Sequence, residues 1–506
     1  MSQNEYFKQF TDEKTFNKLV HLQTMTEFMS HLKQFKEWVA VVDNEEVTYE
    51  KLISDCLGIG YILKENRVAK GKNVGIFSLN DYDFIKATVG TMAYGAVATL
   101  LPAQLDEMGL IGLCLQYQLE VLFYSKQLEE KILFVEDKLP QVRFVLIRES
   151  KHQLDSFNQT IKPNDPACIV LTSGTTGKHK GAVLSHKALL TGVRNGALGM
   201  KSPFHEVYVS VIPYTHVFGL IRNVLTGLYT GSKVYTTPDM RQLFKRIKEA
   251  NPTILVIVPA LAELFLKLIR ETGIGILGNR IQTMIVGGAH VSPYLTVEFN
   301  KLGIYFCPGY GLTESANLVS GNPEPTKNPS SVGQFYPYQE YRIVNGELQI
   351  KGDNLMIEYY NDPEETKLAY EDGYFKTGDL VRVDDDGNLF ITGRVKELIV
   401  LPNGENVSPA FLEGKINAFK TVQDSLVYED TNEYGVVILT CELLPRMDEV
   451  KKLDISNLQQ HFEEVIEMVN KTLYYHEQIA KVIVRTEDFK RTPSMKIIRP
   501  KKEIQK

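Results

Sequence analysis

Residues 166–187 read Pro-Ala-Cys-Ile-Val-Leu-Thr-Ser-Gly-Thr-Thr-Gly-Lys-His-Lys-Gly-Ala-Val-Leu-Ser-His-Lys. The apolar run 168–171 is expected as a buried strand. It breaks into a loop of small and hydroxylated residues, Thr172, Ser173, Gly174, Thr175, Thr176 and Gly177, and two lysines, Lys178 and Lys180, follow. Glycines let a backbone turn sharply and point several N–H groups into one space. Hydroxyls add donors and lysines add positive charge, so the stretch offers a cradle for a polyphosphate. It is not a Walker A loop, which needs four residues between its glycines and a Ser or Thr after the Lys. Here Gly174 and Gly177 enclose two, and His179 follows Lys178. A flexible Gly/Thr linker accounts for the same residues, and on this run alone both readings stand.

The surrounding chain has 506 residues, too many for one ordinary core, so two or more domains are expected. Hydrophobic residues make up 43% and charged residues 23%, the balance of a soluble globular protein. With 56 basic against 62 acidic side chains the formal charge is -6, and the lack of a basic excess argues against a general nucleic-acid binder. Cys56, Cys114, Cys168, Cys307 and Cys441 are scattered with no CxxC pair. That pattern suggests neither a zinc site nor a disulfide framework, and it fits a reducing cytoplasm. The N-terminus has no apolar signal core. The most apolar long stretch, 253–269, is interrupted by Pro259, Glu263 and Lys267, so no membrane span is expected. A weak association with a membrane surface stays open.

Upstream, Met25, Phe28, Met29, Leu32 and Phe35 fall at helical spacing. Residues 39–42 and 47–49 flank Asp43-Asn44 as a hairpin. A helix is expected from Tyr49, a strand at 74–77, a helix from about Asp81 to near Gly95, and a strand at 97–101. Strands alternating with helices imply a parallel sheet with helices packed on it. Downstream, a strand over 207–211 leads into Pro213-Tyr-Thr-His-Val-Phe-Gly219, a loop fixed by its Pro and Gly at a strand's end. A strand at 283–286 runs into Gly287-Gly288-Ala289-His290, where small residues let a flat ring lie on backbone. Residues 309–315, Gly-Tyr-Gly-Leu-Thr-Glu-Ser, offer a ring at Tyr310, a hydroxyl at Thr313 and, at Glu314, a hard carboxylate ligand suited to Mg²⁺. Taken singly, a histidine is as easily a surface or core residue and a Gly-rich run is as easily a turn. The acidic run Asp384-Asp385-Asp386 fails the EF-hand spacing and reads as a hairpin turn at Asp386-Gly387. Towards the end, strands at 425–428, 436–439 and 481–484 and a helix carrying Ile455, Leu458, Phe462, Val465 and Val469 form a compact α+β unit.

Several of these stretches together resemble one family. The run 172–181, Gly309 to Ser315, the run 372–379 (Asp-Gly-Tyr-Phe-Lys-Thr-Gly-Asp), the run 391–399 (Ile-Thr-Gly-Arg-Val-Lys-Glu-Leu-Ile) and the run 491–499 (Arg-Thr-Pro-Ser-Met-Lys-Ile-Ile-Arg) are similar to motifs of the adenylate-forming superfamily. That superfamily comprises acyl-CoA synthetases, luciferases and peptide-synthetase adenylation domains, and residues 401–409 look most like its fatty acyl-CoA ligases. The resemblance implies an α/β fold with a large N-terminal domain of stacked mixed sheets and packed helices (1–393). A hinge (394–398) and a small mobile α+β C-terminal domain (399–506) follow.

The resemblance also implies roles. Thr172, Ser173, Gly174, Thr175, Thr176, Gly177 and Lys180 would hold the phosphates of ATP. Gly288 and Ala289 would wall the adenine, with Tyr310 and Gly311 beside it, and Asp379 and Arg394 would take the ribose hydroxyls. Thr313 and Glu314 would serve the α-phosphate, with Glu314 as the Mg²⁺ ligand, and His216 would lie beside the acyl carboxylate. Lys396 would be the pivot and Lys496 the catalytic lysine. Three positions depart from the family's usual residues: His179 for proline, Lys376 for arginine, and His290 for proline or glutamate.

The implied reaction is activation of a carboxylic acid to acyl-AMP, then transfer to coenzyme A. Amino-acid-activating relatives carry an aspartate near 214–218 for the substrate's ammonium, and this chain has none there. The expected substrate is therefore a simple acid, a medium- or long-chain fatty acid. Transfer to a carrier-protein phosphopantetheine, an aryl acid as substrate, and a nucleotide-binding protein without catalysis are the alternatives. Intact Thr313, Glu314, Asp379, Arg394 and Lys496 speak against the last.

Overall fold

The computed structural model describes residues 10–157, 160–172, 180–402, 404–491 and 497–499. The quoted stretch forms two antiparallel strands, Pro166–Thr172 and Lys180–Ser185, with Thr172 opposite Lys180. The two ends of the loop between them therefore lie side by side, while residues 173–179 fall outside the described set. Cys168, Ile169 and Val170 are buried because Pro166–Thr172 lies inside a seven-stranded sheet. It runs parallel to Val97–Leu101, and Asn73–Phe77, Val121–Tyr124 and Arg143–Leu146 continue the parallel array. Lys180–Ser185 and Glu358–Tyr359 close the other side antiparallel, so the sheet is mixed.

The helix Tyr82–Tyr94 joins two of these strands. Asp81 caps it by accepting from the Phe84 amide, and Gly95 ends it in the left-handed region, the pairing of cap and stop that short polar residues and glycine supply. All ten residues from 84 to 93 are buried. The helix packs on Tyr49–Glu65 and on the strands Asn73–Phe77 and Val97–Leu101. Each large apolar side chain buried this way contributes about 1.5–3 kcal/mol. The first helical pattern also appears as expected: Met25–Leu32 is a helix, continued by a 3₁₀ turn, with Met25, Phe28, Met29, Leu32 and Phe35 all buried.

A second, nine-stranded sheet has a parallel centre. Tyr305–Tyr310, Thr283–Val286, Ile254–Ile257, Val207–Val209, Lys233–Tyr235 and Val39–Val42 pair in that order. Val207–Val209 is shorter than the strand expected over 207–211. Beyond Ser210 the chain is taken by Asn80, whose amide donates to the Ile212 carbonyl and accepts from the Tyr214 N–H. Parallel strands share one carboxyl end, and the loops 210–219, 287–290 and 309–315 all leave from it. That is the edge at which open α/β sheets gather ligands.

A third sheet of five antiparallel strands includes Tyr374–Val383 and Leu389–Arg394, with Asp379 directly opposite Arg394. Asp384 accepts from the backbone amides of Asp386 and Asn388 at the turn between them, as the hairpin reading requires.

From Ile399 onward the chain has a hydrophobic core of its own. It is built on Val422–Thr431, Val437–Pro445 and Ile479–Val484 with the helices Pro409–Ile416 and Leu458–Asn470. Ile455 precedes that last helix rather than lying on it, because Asn457 caps the helix by accepting from the Gln460 amide. Charged pairs join this unit to the rest. Arg446, nearly buried, holds the Glu263 carboxylate and stacks 4.1 Å over the Tyr294 ring. Arg270 reaches Asp448, Glu298 and the Tyr294 hydroxyl. All five cysteines are buried and free. The stretch 253–269 is divided between a strand and the helix Pro259–Thr272, and among the described residues no helix is long and apolar enough to cross a membrane.

Candidate active site

The tightest cluster at the carboxyl edge centres on Asp379, which is 2% exposed. Its Oδ2 accepts from the Tyr310 hydroxyl at 2.6 Å, and its Oδ1 accepts from Arg394 Nε at 2.7 Å. The hairpin register sets Arg394 across from Asp379, and the strand Tyr305–Tyr310 delivers Tyr310 from the other sheet. Asp379 raises the affinity of the Arg394 guanidinium for its proton, and burial and then Asp379 push the Tyr310 hydroxyl up. Both donors are therefore protonated at neutral pH, and the carboxylate between them is held in one orientation.

Residues 311–317 double back on themselves. A Cβ on Gly311 would lie 1.3 Å from the Asn317 carbonyl oxygen, so only glycine fits there. Ala316 and Asn317 take left-handed conformations to complete the turn. Thr313–Ser315 is a 3₁₀ segment, tied by the Ser315 hydroxyl to the Leu312 amide. Glu314 is fixed twice: its carbonyl accepts from the Met356 amide at 2.7 Å, and its Oε1 accepts from the Tyr359 hydroxyl at 2.8 Å. Burial, and then the Glu314 charge, push the Tyr359 hydroxyl up, so it stays a donor. Among the described residues no group of three or more His, Cys, Asp or Glu could hold a metal ion by itself. A single fixed carboxylate does suit Mg²⁺, which is ordinarily held by one or two carboxylates together with substrate phosphates.

Lys180 pairs with Glu365 and lies 5.1 Å over the Tyr359 ring. Lys180, and more weakly the charge of Lys396, hold the Glu365 carboxyl below its usual range against some desolvation. Lys396 itself is exposed. On the far side of the edge, the Pro213–Gly219 loop is closed by contact: a Cβ on Gly219 would meet the Pro213 carbonyl at 2.2 Å. His216 is exposed, and its Nδ1 accepts from the Phe218 amide at 3.4 Å. The Phe218 ring packs toward Gly287 and Gly288, within 4.0 Å of where their Cβ atoms would be. Gly287 and Gly288 therefore share a wall with the histidine loop.

Of the expected residues, the structure joins Tyr310, Asp379 and Arg394 directly. It joins Lys180, which lies opposite Thr172, to Glu314 through Tyr359, and carries Gly311 and Thr313 on the same turn as Glu314. It brings Gly288, with Ala289 next in the chain, toward the Phe218 ring of the loop that holds His216. Ser173, Gly174, Thr175, Thr176, Gly177 and Lys496 lie outside the described residues. Three contributors escaped the sequence reading: Tyr359 on Glu314, Glu365 on Lys180, and Asn80 on the histidine loop. Tyr359 and Asn80 act through tertiary contacts that carry no local pattern. Glu365 stands in the first turn of Pro363–Ala369, where an acidic residue already has an ordinary helix-dipole explanation.

The AMP-binding enzyme family matches residues 28–360, and the AMP-binding enzyme C-terminal domain matches residues 396–505. The chain is 26% identical to luciferin 4-monooxygenase of Photuris pensylvanica, over 73% of this chain and 75% of that one. It is 27% identical to malonate–CoA ligase of Arabidopsis thaliana, over 73% and 67%. Its fold superposes on the Mycobacterium tuberculosis fatty acyl CoA synthetase with a TM-score of 0.71 and 22% identity, covering 94% of this chain and 97% of that one. With both of its parts matched in order, the chain belongs to the AMP-binding enzyme family, within the adenylate-forming superfamily.

Proposed function

We propose that the protein is an AMP-forming acid–thiol ligase that joins a carboxylic acid to coenzyme A through an acyl-adenylate. The observation that carries this reading is the pairing of Asp379 with Tyr310 and Arg394 beside the fixed Glu314, at the carboxyl end of parallel strands. A carboxylate attacking the α-phosphate of ATP meets an anion, so the reaction needs positive charge and oriented donors around the phosphates. Such catalysis is largely positioning and electrostatic stabilisation.

In this proposal Asp379 and Arg394 hold the ribose, Tyr310, Gly311, Gly288 and Ala289 hold the adenine, and Thr313 donates its hydroxyl to the α-phosphate. His216 orients the acid. Thr172, Lys180 and the loop Ser173, Gly174, Thr175, Thr176 and Gly177 bind the β- and γ-phosphates. Lys496 approaches the α-phosphate as pyrophosphate leaves. Glu314 would hold Mg²⁺, which when bound neutralises charge on the phosphates. The chain divides at 1–393, 394–398 and 399–506, and rotation about Lys396 withdraws Lys496 and admits the thiol of coenzyme A, whose attack expels AMP.

The stretch 401–409 supports a medium- or long-chain fatty acid as substrate, and the cytoplasm as the site of action fits the cysteine pattern. A second reading of the acid is favoured by one buried residue, Arg222. ATP–pyrophosphate exchange across a panel of acids tests the first step, and addition of coenzyme A or a phosphopantetheinylated carrier protein identifies the acceptor. Lys496→Ala is expected to reduce exchange to a few per cent or less while sparing thioester formation from supplied acyl-adenylate. Exchange that survives the substitution would remove Lys496 from the mechanism.

A further inference from the structure

Arg222 lies on the π-helical segment Gly219–Leu225, which continues directly from the His216 loop. It is 2% exposed and is among the largest fully buried side chains described. One Nη donates to the Gly196 carbonyl, but Nε has no hydrogen-bond partner, and among the described residues no carboxylate pairs with the guanidinium. The titratable groups that feel its charge are Tyr208, Tyr305, Cys307 and Tyr336, and burial pushes each of them up, so all four are neutral at neutral pH. A guanidinium taken out of water without a counter-charge is strongly unfavourable. The one carbonyl it meets, in the last turn of the helix His186–Leu198, interacts favourably with a cation but does not neutralise it.

The position of Arg222 relative to the proposed reaction follows from two glycines on that helix. A Cβ on Gly192 would lie 2.4 Å from the carbonyl oxygen of Ala316, the residue after Thr313–Ser315. A Cβ on Gly196 would lie 2.7 Å from Arg222 Nη1. The two glycines are four residues apart, so their faces are separated by about 6 Å along the helix. The charge therefore sits roughly one helical turn from the turn that carries Thr313 and Glu314. Chain neighbours of these residues also carry buried polar atoms without partners: Nδ2 of Asn317, next to Ala316, and both amide atoms of Asn223, next to Arg222.

We propose that Arg222 is a specificity-determining residue, the counter-charge for a second anionic group on the acid, so that the substrate is a short dicarboxylic acid. With carbon–carbon bonds of about 1.5 Å, a chain on the order of three to five carbons reaches from the adenylated carboxylate to the guanidinium. The inference deepens the acid-activating reading and rests on it. It predicts that the second carboxylate stays ionised and intact through the reaction, leaving a CoA thioester with a free terminal carboxylate.

The test measures AMP release by the full-length enzyme with ATP, Mg²⁺ and coenzyme A. Malonate, succinate and glutarate are compared with propionate, butyrate and pentanoate, and with octanoate and palmitate. The expected result is a kcat/KM at least 10-fold higher for the best dicarboxylate than for its chain-matched monocarboxylate. Arg222→Met is expected to reduce that ratio to one or below, and Arg222→Lys to restore part of it. A purely structural arginine would lower both substrates together and leave the ratio unchanged, which would overturn the proposal. If the substituted chains fail to fold, the ratio in the unsubstituted enzyme decides alone. Turnover of monocarboxylates in preference to dicarboxylates overturns the Arg222 assignment and leaves the ligase reading intact. Absence of AMP and of pyrophosphate exchange with every acid overturns both.

Discussion

The Tyr310 hydroxyl lies 2.6 Å from Asp379 Oδ2, and this single contact ties the glycine-rich turn after one sheet to the hairpin of another. With Arg394 on the second oxygen, Asp379 is oriented before any nucleotide arrives. A hydrogen bond to a charged group contributes about 1.5–3 kcal/mol, which corresponds to roughly 10- to 150-fold in affinity. Asp379→Asn is expected to weaken ATP binding by at least about 10-fold, and Tyr310→Phe, which keeps the ring, by less. Equilibrium binding of ATP and AMP checks both. Unchanged affinity in Asp379→Asn would remove the carboxylate from the nucleotide site.

Much of this was legible in the residues and some was not, for physical reasons. The helix expected from about Asp81 starts there because Asp81 caps it, and a cap acts within three residues of itself. The pairing of Asp379 with Arg394 follows from hairpin register, which alternating residues and the Asp386-Gly387 turn encode locally. Arg222 gave no sign of itself. An arginine between Ile221 and Asn223 reads as an exposed polar residue, and only tertiary packing shows it buried beside Gly196. The strand expected over 207–211 stops short for the same reason: Asn80, 132 and 134 residues earlier, captures the chain at Ile212 and Tyr214.

That capture has a kinetic consequence. Asn80 makes two hydrogen bonds to backbone just before His216, at 3.1 and 2.9 Å. Asn80→Ala leaves a buried carbonyl and an amide unpaired and frees the loop. The expected outcome is a rise of about 5- to 50-fold in KM for the acid, equivalent to roughly 1–2.3 kcal/mol, with KM for ATP nearly unchanged. A rise in both would mean that the loop is not specific to the acid.

Asp81 links stability to pH. Burial pushes its carboxyl up to about 7, against the opposing hydrogen bonds from the Phe84 amide and the Ser78 hydroxyl. Its folded pKa therefore lies above its unfolded value of 3.8. Between those values the folded state binds more protons, so the favourable contribution is complete at low pH and is lost as pH rises toward 7. Asp81→Asn still accepts both hydrogen bonds but does not titrate. The variant is expected to gain on the unsubstituted protein as pH goes from 4 to 7, by on the order of 2–4 kcal/mol. Urea unfolding at several pH values checks the sign, and a difference that is flat with pH would contradict it.

Arg446 and Glu263 join the C-terminal unit to the helix Pro259–Thr272. Burial raises the Glu263 carboxyl and the Arg446 charge lowers it, so the acid depends on its partner to remain ionised. Removing one member of a buried pair costs about 3–5 kcal/mol, whereas replacing both by apolar groups is often neutral. Arg446→Met is therefore expected to increase proteolytic cleavage near residues 394–398 strongly. Adding Glu263→Leu should restore most of the protection, and failure of the second substitution to rescue would show that the pair itself is not what holds the units together.

Lys180 is engaged by Glu365 at the edge where the phosphates are proposed to bind, and the Tyr359 ring lies beneath it. For Lys180 to reach a phosphate, the Glu365 pairing has to be given up, and the carboxylate then faces the incoming negative charge. On that proposal Glu365 opposes ATP even as it orders the lysine. Glu365→Gln is expected to lower KM for ATP about 3- to 10-fold, since an exposed or half-exposed pair is worth on the order of 0.5–1 kcal/mol and the repulsion adds to it. Lys180→Ala should raise the same KM by at least about 10-fold, as loss of a charge-assisted phosphate contact does. The two substitutions combined should resemble Lys180→Ala alone, because the carboxylate acts mainly by withholding the lysine. An increase in KM for Glu365→Gln would instead assign the carboxylate a direct part in nucleotide binding.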